Sequence, residues 1–181
     1  MAHKEQTDYC QKIKNKFPHF FKNKKVLDVG SLDINGCNRS LFEESEYTGL
    51  DIGEGKNVDV VCVGHEFNAP DNTYDTIIST ECFEHDMYYD KTIKNIIRML
   101  KPDGLFLFTC ATTGRAEHGT QKSEIGSAPL LQNYDNWSNY YKNLTQEDIE
   151  KILDLKEVFS EFEFQVNTDS CDLYFYGIKH K

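Results

Sequence analysis

At 181 residues the chain has the length of one α/β domain and enough side chains to cover a central sheet on both faces. Its 30 acidic against 20 basic residues leave a formal charge of −10, and residues 1–25 alone hold seven lysines against Glu5 and Asp8, so the remainder is more acidic still. Such a surface repels phosphate backbones and argues against an extended nucleic-acid groove, and no run approaches the about eighteen apolar residues of a membrane span.

In chain order, Tyr9, Ile13 and Phe17 recur every fourth residue and predict an amphipathic helix over 5–16, ended by Pro18; residues 1–24 read as a helical cap over the site mouth or a sheet edge. Val26, Leu27 and Val29 make a short apolar strand, followed by a glycine-bracketed loop and a helix predicted from about Gly36 to Glu44, capped by Asn35 or Asn38. A second strand ends at Asp51, a tight loop (IGEGKN) follows, and Val58–Val63 reads as a third strand. Tyr74–Ser79 is the fourth strand, and a helix from Tyr89 to Leu100 is stopped by Lys101-Pro102-Asp103-Gly104 ahead of a fifth strand, Leu105–Cys110. Residues 111–143 are long and sparsely apolar, and Tyr134, Trp137, Tyr140 and Tyr141 suggest a flap over a pocket, or aromatics that pack the flap onto the sheet. Leu144–Leu155 predicts one long helix, and Phe159–Val166 and Leu173–Ile178 a final strand pair. The six cysteines, at 10, 37, 62, 82, 110 and 171, never stand as CxxC; they read as reduced core thiols of a cytoplasmic protein, with no export or membrane segment.

Two acidic residues mark the site. Asp28 interrupts an apolar strand, where a carboxylate is costly without a partner, so loop amides or a ligand at the strand's carboxyl end should meet it. Asp51 falls 21 residues after Gly30, the interval at which an acidic side chain reaches ribose hydroxyls. Neither GxGxxG nor a phosphate-binding P-loop is present, and a carboxylate at Asp51 disfavours a nearby phosphate, which argues for an adenosine ligand without a phosphate at this edge.

The stretches VLDVGS (26–31), YTGLDIG (47–53), APDNTYDTIISTECFEHD (69–86) and IIRMLKPDGLFLFTC (96–110) resemble, in order, the motifs of class I S-adenosylmethionine-dependent methyltransferases, in particular the small type 11-like members. The resemblance implies a Rossmann-like, doubly wound seven-stranded sheet, mostly parallel with an antiparallel C-terminal hairpin, in one domain over 1–181. It implies S-adenosylmethionine as methyl donor, held by Asp28, Gly30, Ser31, Gly36, Asp51, Ile52, Gly64, His65, Thr80 and Glu81. Where the family often places an acidic residue for adenine after the third strand, this chain has Val63-Gly64, so backbone atoms around Gly64 and His65 are expected to substitute.

Glu81, Glu84 and His85 form an ExxEH pattern similar to the metal motif of plant small-RNA 3′-terminal 2′-O-methyltransferases and ubiquinone-pathway enzymes, in which His118 would complete a magnesium or manganese site. Other members of the class carry a similar Glu-His pair in metal-free hydrogen bonds; Glu84 and His85 would then act structurally or as acid-base groups, with His118 as general base. The expected reaction is O-methylation of a small polar acceptor such as a sugar or glycan precursor. Two rivals stand beside it, terminal 2′-O-methylation of a short RNA and a degenerate fold that binds without turnover.

Overall fold

The computed structural model describes residues 4–134 and 136–181; Met1 to His3 of the expected cap and Asp135 of the expected flap lie outside them. Apolar runs bounded by turns form β1 (Lys25–Val29), β2 (Glu46–Asp51), β3 (Val60–Val61), β4 (Tyr74–Thr80), β5 (Leu100–Ala111), β6 (Phe159–Asn167) and β7 (Asp172–Lys179). They build one sheet in the order β3-β2-β1-β4-β5-β7-β6, in which β7 runs antiparallel to both its neighbours and the remaining pairs are parallel. This is the seven-stranded Rossmann-like sheet with an antiparallel C-terminal hairpin that the motifs imply. Strand order reverses beside β1, and at such a switch point the carboxyl ends of adjacent strands leave a crevice.

Both faces of the sheet are covered because its inner strands carry apolar residues toward both sides. In β5, Phe106 and Phe108 join one core with Leu27, Ile77 and Phe175, whereas Leu105 and Leu107 join the other with Val26, Ile78 and Tyr176. Period-two alternation sends neighbours to opposite faces. Helix α1 (Lys4–Lys16) covers the second core, with Tyr9 stacked on Tyr174 at 4.4 Å between ring centroids. Helix α2 (Tyr89–Met99) buries Thr92, Ile93, Ile96 and Met99 on one side and covers the first core.

Three expected elements differ. The helix over 36–44 is a single 3-10 turn, Arg39–Leu41. Gly36 and Glu44 both take positive φ, and the Asn38 side chain that could cap a helix instead donates to Thr80 and accepts from Gln6. The predicted helix over 144–155 is two short ones, α3 (Gln146–Glu150) and α4 (Leu155–Val158), because Asp154 turns its carboxylate onto the N–H groups of Lys156 and Glu157 and starts a new helix. The third strand keeps two residues of the expected six. Among the described residues no helix is long and apolar enough to cross a membrane.

Candidate active site

Asp28 pairs in register with Gly49 of β2 and Ile78 of β4, so its side chain leaves the sheet at the crevice. The carboxyl is buried; Tyr47 donates its hydroxyl to Oδ2, and Oδ1 has no hydrogen-bond partner. Burial pushes its pKa up to about 7. At the tip of β2, Asp51 accepts the N–H groups of Leu32 and Ile52, at 2.9 and 2.8 Å. Burial raises its pKa while those two donors pull it back down. The backbone thus fixes the Asp51 carboxylate and leaves further lone pairs for a ligand.

Gly30 stands between these carboxylates with φ +82°, and a Cβ there would lie 2.4 Å from the Cys82 sulfur. The glycine is therefore set by the crossing of the loops after β1 and β4 as well as by its left-handed backbone. These loops form a cleft, open to solvent on one side, whose lining includes Asp28, Gly30, Ser31, Gly36, Asp51, Thr80, Glu81 and His85. Asn38, which the sequence offered only as a helix cap, lines it too: its amide donates to Thr80 at 3.0 Å and its oxygen accepts from Gln6 of α1 at 3.3 Å. The first turn of the N-terminal helix thus braces the cavity wall, while the rest of the helix lies on the sheet.

A second cavity opens from the first; Gly30, Asp51, Cys82, His85 and Leu131 line both. Ile52, Val63, Gly64, Asp86 and Trp137 complete much of its wall, and its surface is largely apolar. His65 lies at this end, its ring 4.5 Å from that of Tyr88 and 6.4 Å from Trp137, but it does not line either cavity.

Beyond the first cavity, Glu84, His85 and His118 converge in the interior, and one ligand atom from each lies within 4.8 Å of the others. Glu84 and His85 sit in a 3-10 turn, Phe83–His85, directly after β4, and Lys142 donates its N–H to the Glu84 carbonyl. Both Glu84 carboxylate oxygens, both His85 nitrogens, His118 Nε2 and the Tyr141 hydroxyl are buried without a hydrogen-bond partner. Desolvation raises the Glu84 pKa, with the Glu81 charge adding to the effect, and lowers His85 to about 3. His118 is lowered for the same reason. Its Nδ1 stands 3.0 Å from the Ala116 carbonyl, which can only accept, so Nδ1 carries the proton and Nε2 presents a lone pair toward Glu84. Glu81, expected with this group, lies outside it: Thr109 donates to its carboxylate at 2.9 Å and its backbone sits at φ +52°.

The 111–143 segment is folded onto the site, and its four aromatics stand at different places along it. Ser127 to Leu131, two 3-10 turns upstream of most of the aromatics, form the wall over the first cavity, and Leu130 packs against Gly53. Tyr134 donates its hydroxyl to the Ile52 carbonyl and Trp137 lines the second cavity, so both belong to the edge beside β2. Tyr141 alone of the four rings meets both His85 and His118, at 5.5 and 4.9 Å between centroids. Tyr140 is half-buried, and burial pushes its hydroxyl pKa up to about 12. The wall residues escaped sequence reasoning because small and aliphatic side chains in a loop carry no periodic signal.

A family model described as a methyltransferase domain matches residues 1–166. The chain belongs to the class I S-adenosylmethionine-dependent methyltransferases. Solved structures with the same fold include a Haemonchus contortus phosphoethanolamine N-methyltransferase 2 in complex with phosphomonomethylethanolamine and S-adenosylhomocysteine, at 19% identity and a TM-score of 0.64. The alignment covers 97% of this methyltransferase and 53% of that chain, so this chain spans about half the length of that enzyme. A Burkholderia thailandensis 1,6-didemethyltoxoflavin-N1-methyltransferase, with 1,6-didemethyltoxoflavin and S-adenosylhomocysteine bound, aligns over 100% of this chain and 93% of its own, at 13% identity and a TM-score of 0.61. No curated protein sequence matches.

Proposed function

We propose that this methyltransferase moves the methyl group of S-adenosylmethionine to a hydroxyl of a small polar acceptor, with sugars or glycan precursors as the favoured class. The observation that supports a hydroxyl is His118, a buried imidazole whose Nε2 lone pair is held toward Glu84 and His85 by the bond from Nδ1 to Ala116. An amine acceptor only has to lose a proton, whereas a hydroxyl must first be made nucleophilic. A neutral base fixed in one tautomer serves the second case.

In this reading Asp51 receives the ribose diol, the first cavity takes the amino-acid end beside Asp28 and Ser31, and the more apolar second cavity takes the purine. When bound, S-adenosylmethionine supplies a sulfonium methyl open to in-line displacement. Alignment of two reactants can contribute about 7–11 kcal/mol, so the chain's main task is positioning. His118 takes the acceptor proton at Nε2. His85 lines both cavities and stays neutral, and Tyr141 closes the group from the 111–143 segment.

Glu84, His85 and His118 also fit a divalent ion, because their partnerless, buried oxygen and nitrogen atoms converge. A bound ion would lower the acceptor hydroxyl's pKa. Two imidazoles with one carboxylate suit manganese better than magnesium. The same group supports the second reading, methylation of a terminal 2′-hydroxyl on a short RNA.

The test is transfer of labelled methyl from S-adenosylmethionine to monosaccharides, nucleotide sugars, short RNA 3′ ends and simple amines, before and after chelation. We expect turnover on a hydroxyl acceptor that falls about 10²–10⁴-fold in His118→Ala. We also expect Glu84→Ala to abolish whatever activity manganese or magnesium restores. Activity indifferent to both chelator and Glu84→Ala rejects the ion and leaves His118 as the sole base. Transfer to amines alone, indifferent to His118→Ala, overturns the hydroxyl assignment.

A further inference from the structure

We infer that Asp86, in the loop after β4, reads the 6-amino group of the donor's adenine and replaces the acidic residue that Val63-Gly64 does not supply. The inference rests on the placement of the purine in the second cavity. From a ribose at Asp51, an adenine entering that cavity meets apolar surface from Ile52, Val63, Leu131 and Trp137. Its exocyclic amine donates two hydrogen bonds and needs an acceptor, since a buried donor without a partner costs about 1–3 kcal/mol.

Of the two backbone acceptors just past β3, the Val63 carbonyl is filled and the Gly64 carbonyl is half used. The Val63 carbonyl accepts the N–H groups of Glu66 and Phe67, at 3.0 and 3.2 Å, and the Gly64 carbonyl accepts the Asn95 amide at 2.9 Å. Asp86 lines the same cavity and is 5% exposed. Its Oδ1 accepts the Tyr88 N–H at 2.8 Å and its Oδ2 the Thr92 hydroxyl. These bonds fix the plane of the carboxylate and use one lone pair on each oxygen, leaving acceptor capacity on both.

Thr92 also ties Asp86 to the end of β3. A Cβ on Gly64 would come within 2.6 Å of the Thr92 methyl carbon, so the side chain that holds Asp86 packs on the very position where the family's acidic-small pair falls. The bare backbone at Gly64 admits Thr92, and Thr92 brings in a carboxylate from the next loop.

Asp86→Asn separates the internal bonds from the reading of the ligand, because asparagine keeps an acceptor for the Tyr88 N–H and can donate one amide hydrogen to the Thr92 hydroxyl oxygen, while the other turns a donor toward the ligand. The probes are S-adenosylhomocysteine and its inosine analogue, in which a 6-oxo group replaces the 6-amino group, titrated calorimetrically into the full chain. The natural chain should prefer the adenosyl ligand by about 10- to 100-fold, the worth of one hydrogen bond to a charged group. Asp86→Asn should shrink that preference at least tenfold or invert it. Thr92→Val, which frees one carboxylate oxygen and conserves volume, should reduce it about threefold and decides the matter if Asp86→Asn does not fold.

A preference unchanged in a folded Asp86→Asn chain, or in Thr92→Val where only that variant folds, overturns the inference. Binding of neither ligand by the natural chain overturns the donor placement itself and the inference with it. Tight binding of the adenosyl ligand without discrimination overturns the Asp86 role alone.

Discussion

Asp28 carries a proton at acidic pH that an unfolded chain would have lost. With its folded pKa pushed up to about 7 from an ordinary 3.8, the native state holds more protons than the unfolded state between these values. Stability of the ligand-free protein should therefore fall as pH rises from about 4 through 7 and level off above. Replacement of Asp28 by Asn should flatten that slope in denaturant titrations, since the amide keeps the Tyr47 contact without a charge to desolvate. A bound ammonium group has the opposite sign of effect, because it favours the ionised carboxyl. Affinity for S-adenosylhomocysteine should accordingly rise through about pH 7 in the natural chain and lose that dependence in Asp28→Asn. A pH-independent affinity in the natural chain would remove Asp28 from the ligand's amino-acid end.

At the scale of elements, the segment from Ala111 to Leu144 does two jobs with two sets of residues. Ser127 to Leu131, Tyr134 and Trp137 face the two joined cavities and the end of β2, whereas Tyr141 faces Glu84, His85 and His118. The division makes separable outcomes. Trp137→Ala should weaken S-adenosylhomocysteine binding about tenfold, the scale of one lost aromatic contact, and leave acceptor KM little changed once donor is saturating. Tyr141→Phe should leave donor affinity unchanged and alter turnover. Equal loss of donor affinity in both variants would show that the segment acts as one body. The lysine-bearing start of the chain has its own division: α1 buries Tyr9, Cys10 and Ile13 on the sheet, and Gln6 at its first turn reaches Asn38 in the cavity wall. Its lysines are largely the solvated face of that helix, with Lys16 and Lys14 paired to Glu161 and Glu43.

For the molecule as a whole, the crevice proposed for the donor lies where the sheet order turns at β1 and β4, so a ligand there would touch most of the sheet's parallel half. Loops after β1, β2 and β4 and the 125–131 turns all meet in the first cavity. A ligand there ties elements far apart in sequence and binds only the native state. At a concentration 100 times its Kd, S-adenosylhomocysteine should add about 2.7 kcal/mol. For a chain of this length that corresponds to a Tm increase of roughly 5–10 °C by scanning calorimetry. No shift at saturating ligand would contradict a preformed donor site.

Strand positions, the two acidic tips and the glycine between them could be read from the chain because each is a local matter. Apolar runs have a length and a period, and Asp28, Gly30 and Asp51 stand at fixed offsets from those runs. The resemblance to metal-using methyltransferases, rather than any local pattern, grouped Glu84, His85 and His118, and nothing in it showed that Glu81 would instead be held by Thr109 beside the β4-β5 ladder. Helix lengths misled where polar side chains had a better partner elsewhere, as when Asn38 turned to Thr80 and Asp154 capped a new helix. Only tertiary packing decided that Ser127–Leu131 would wall the cavity, that Trp137 would stand at the β2 edge, and that Thr92 would hold Asp86 against Gly64. Those contacts join residues with no periodic or spacing relation, so their energies exist only after the sheet has brought them together.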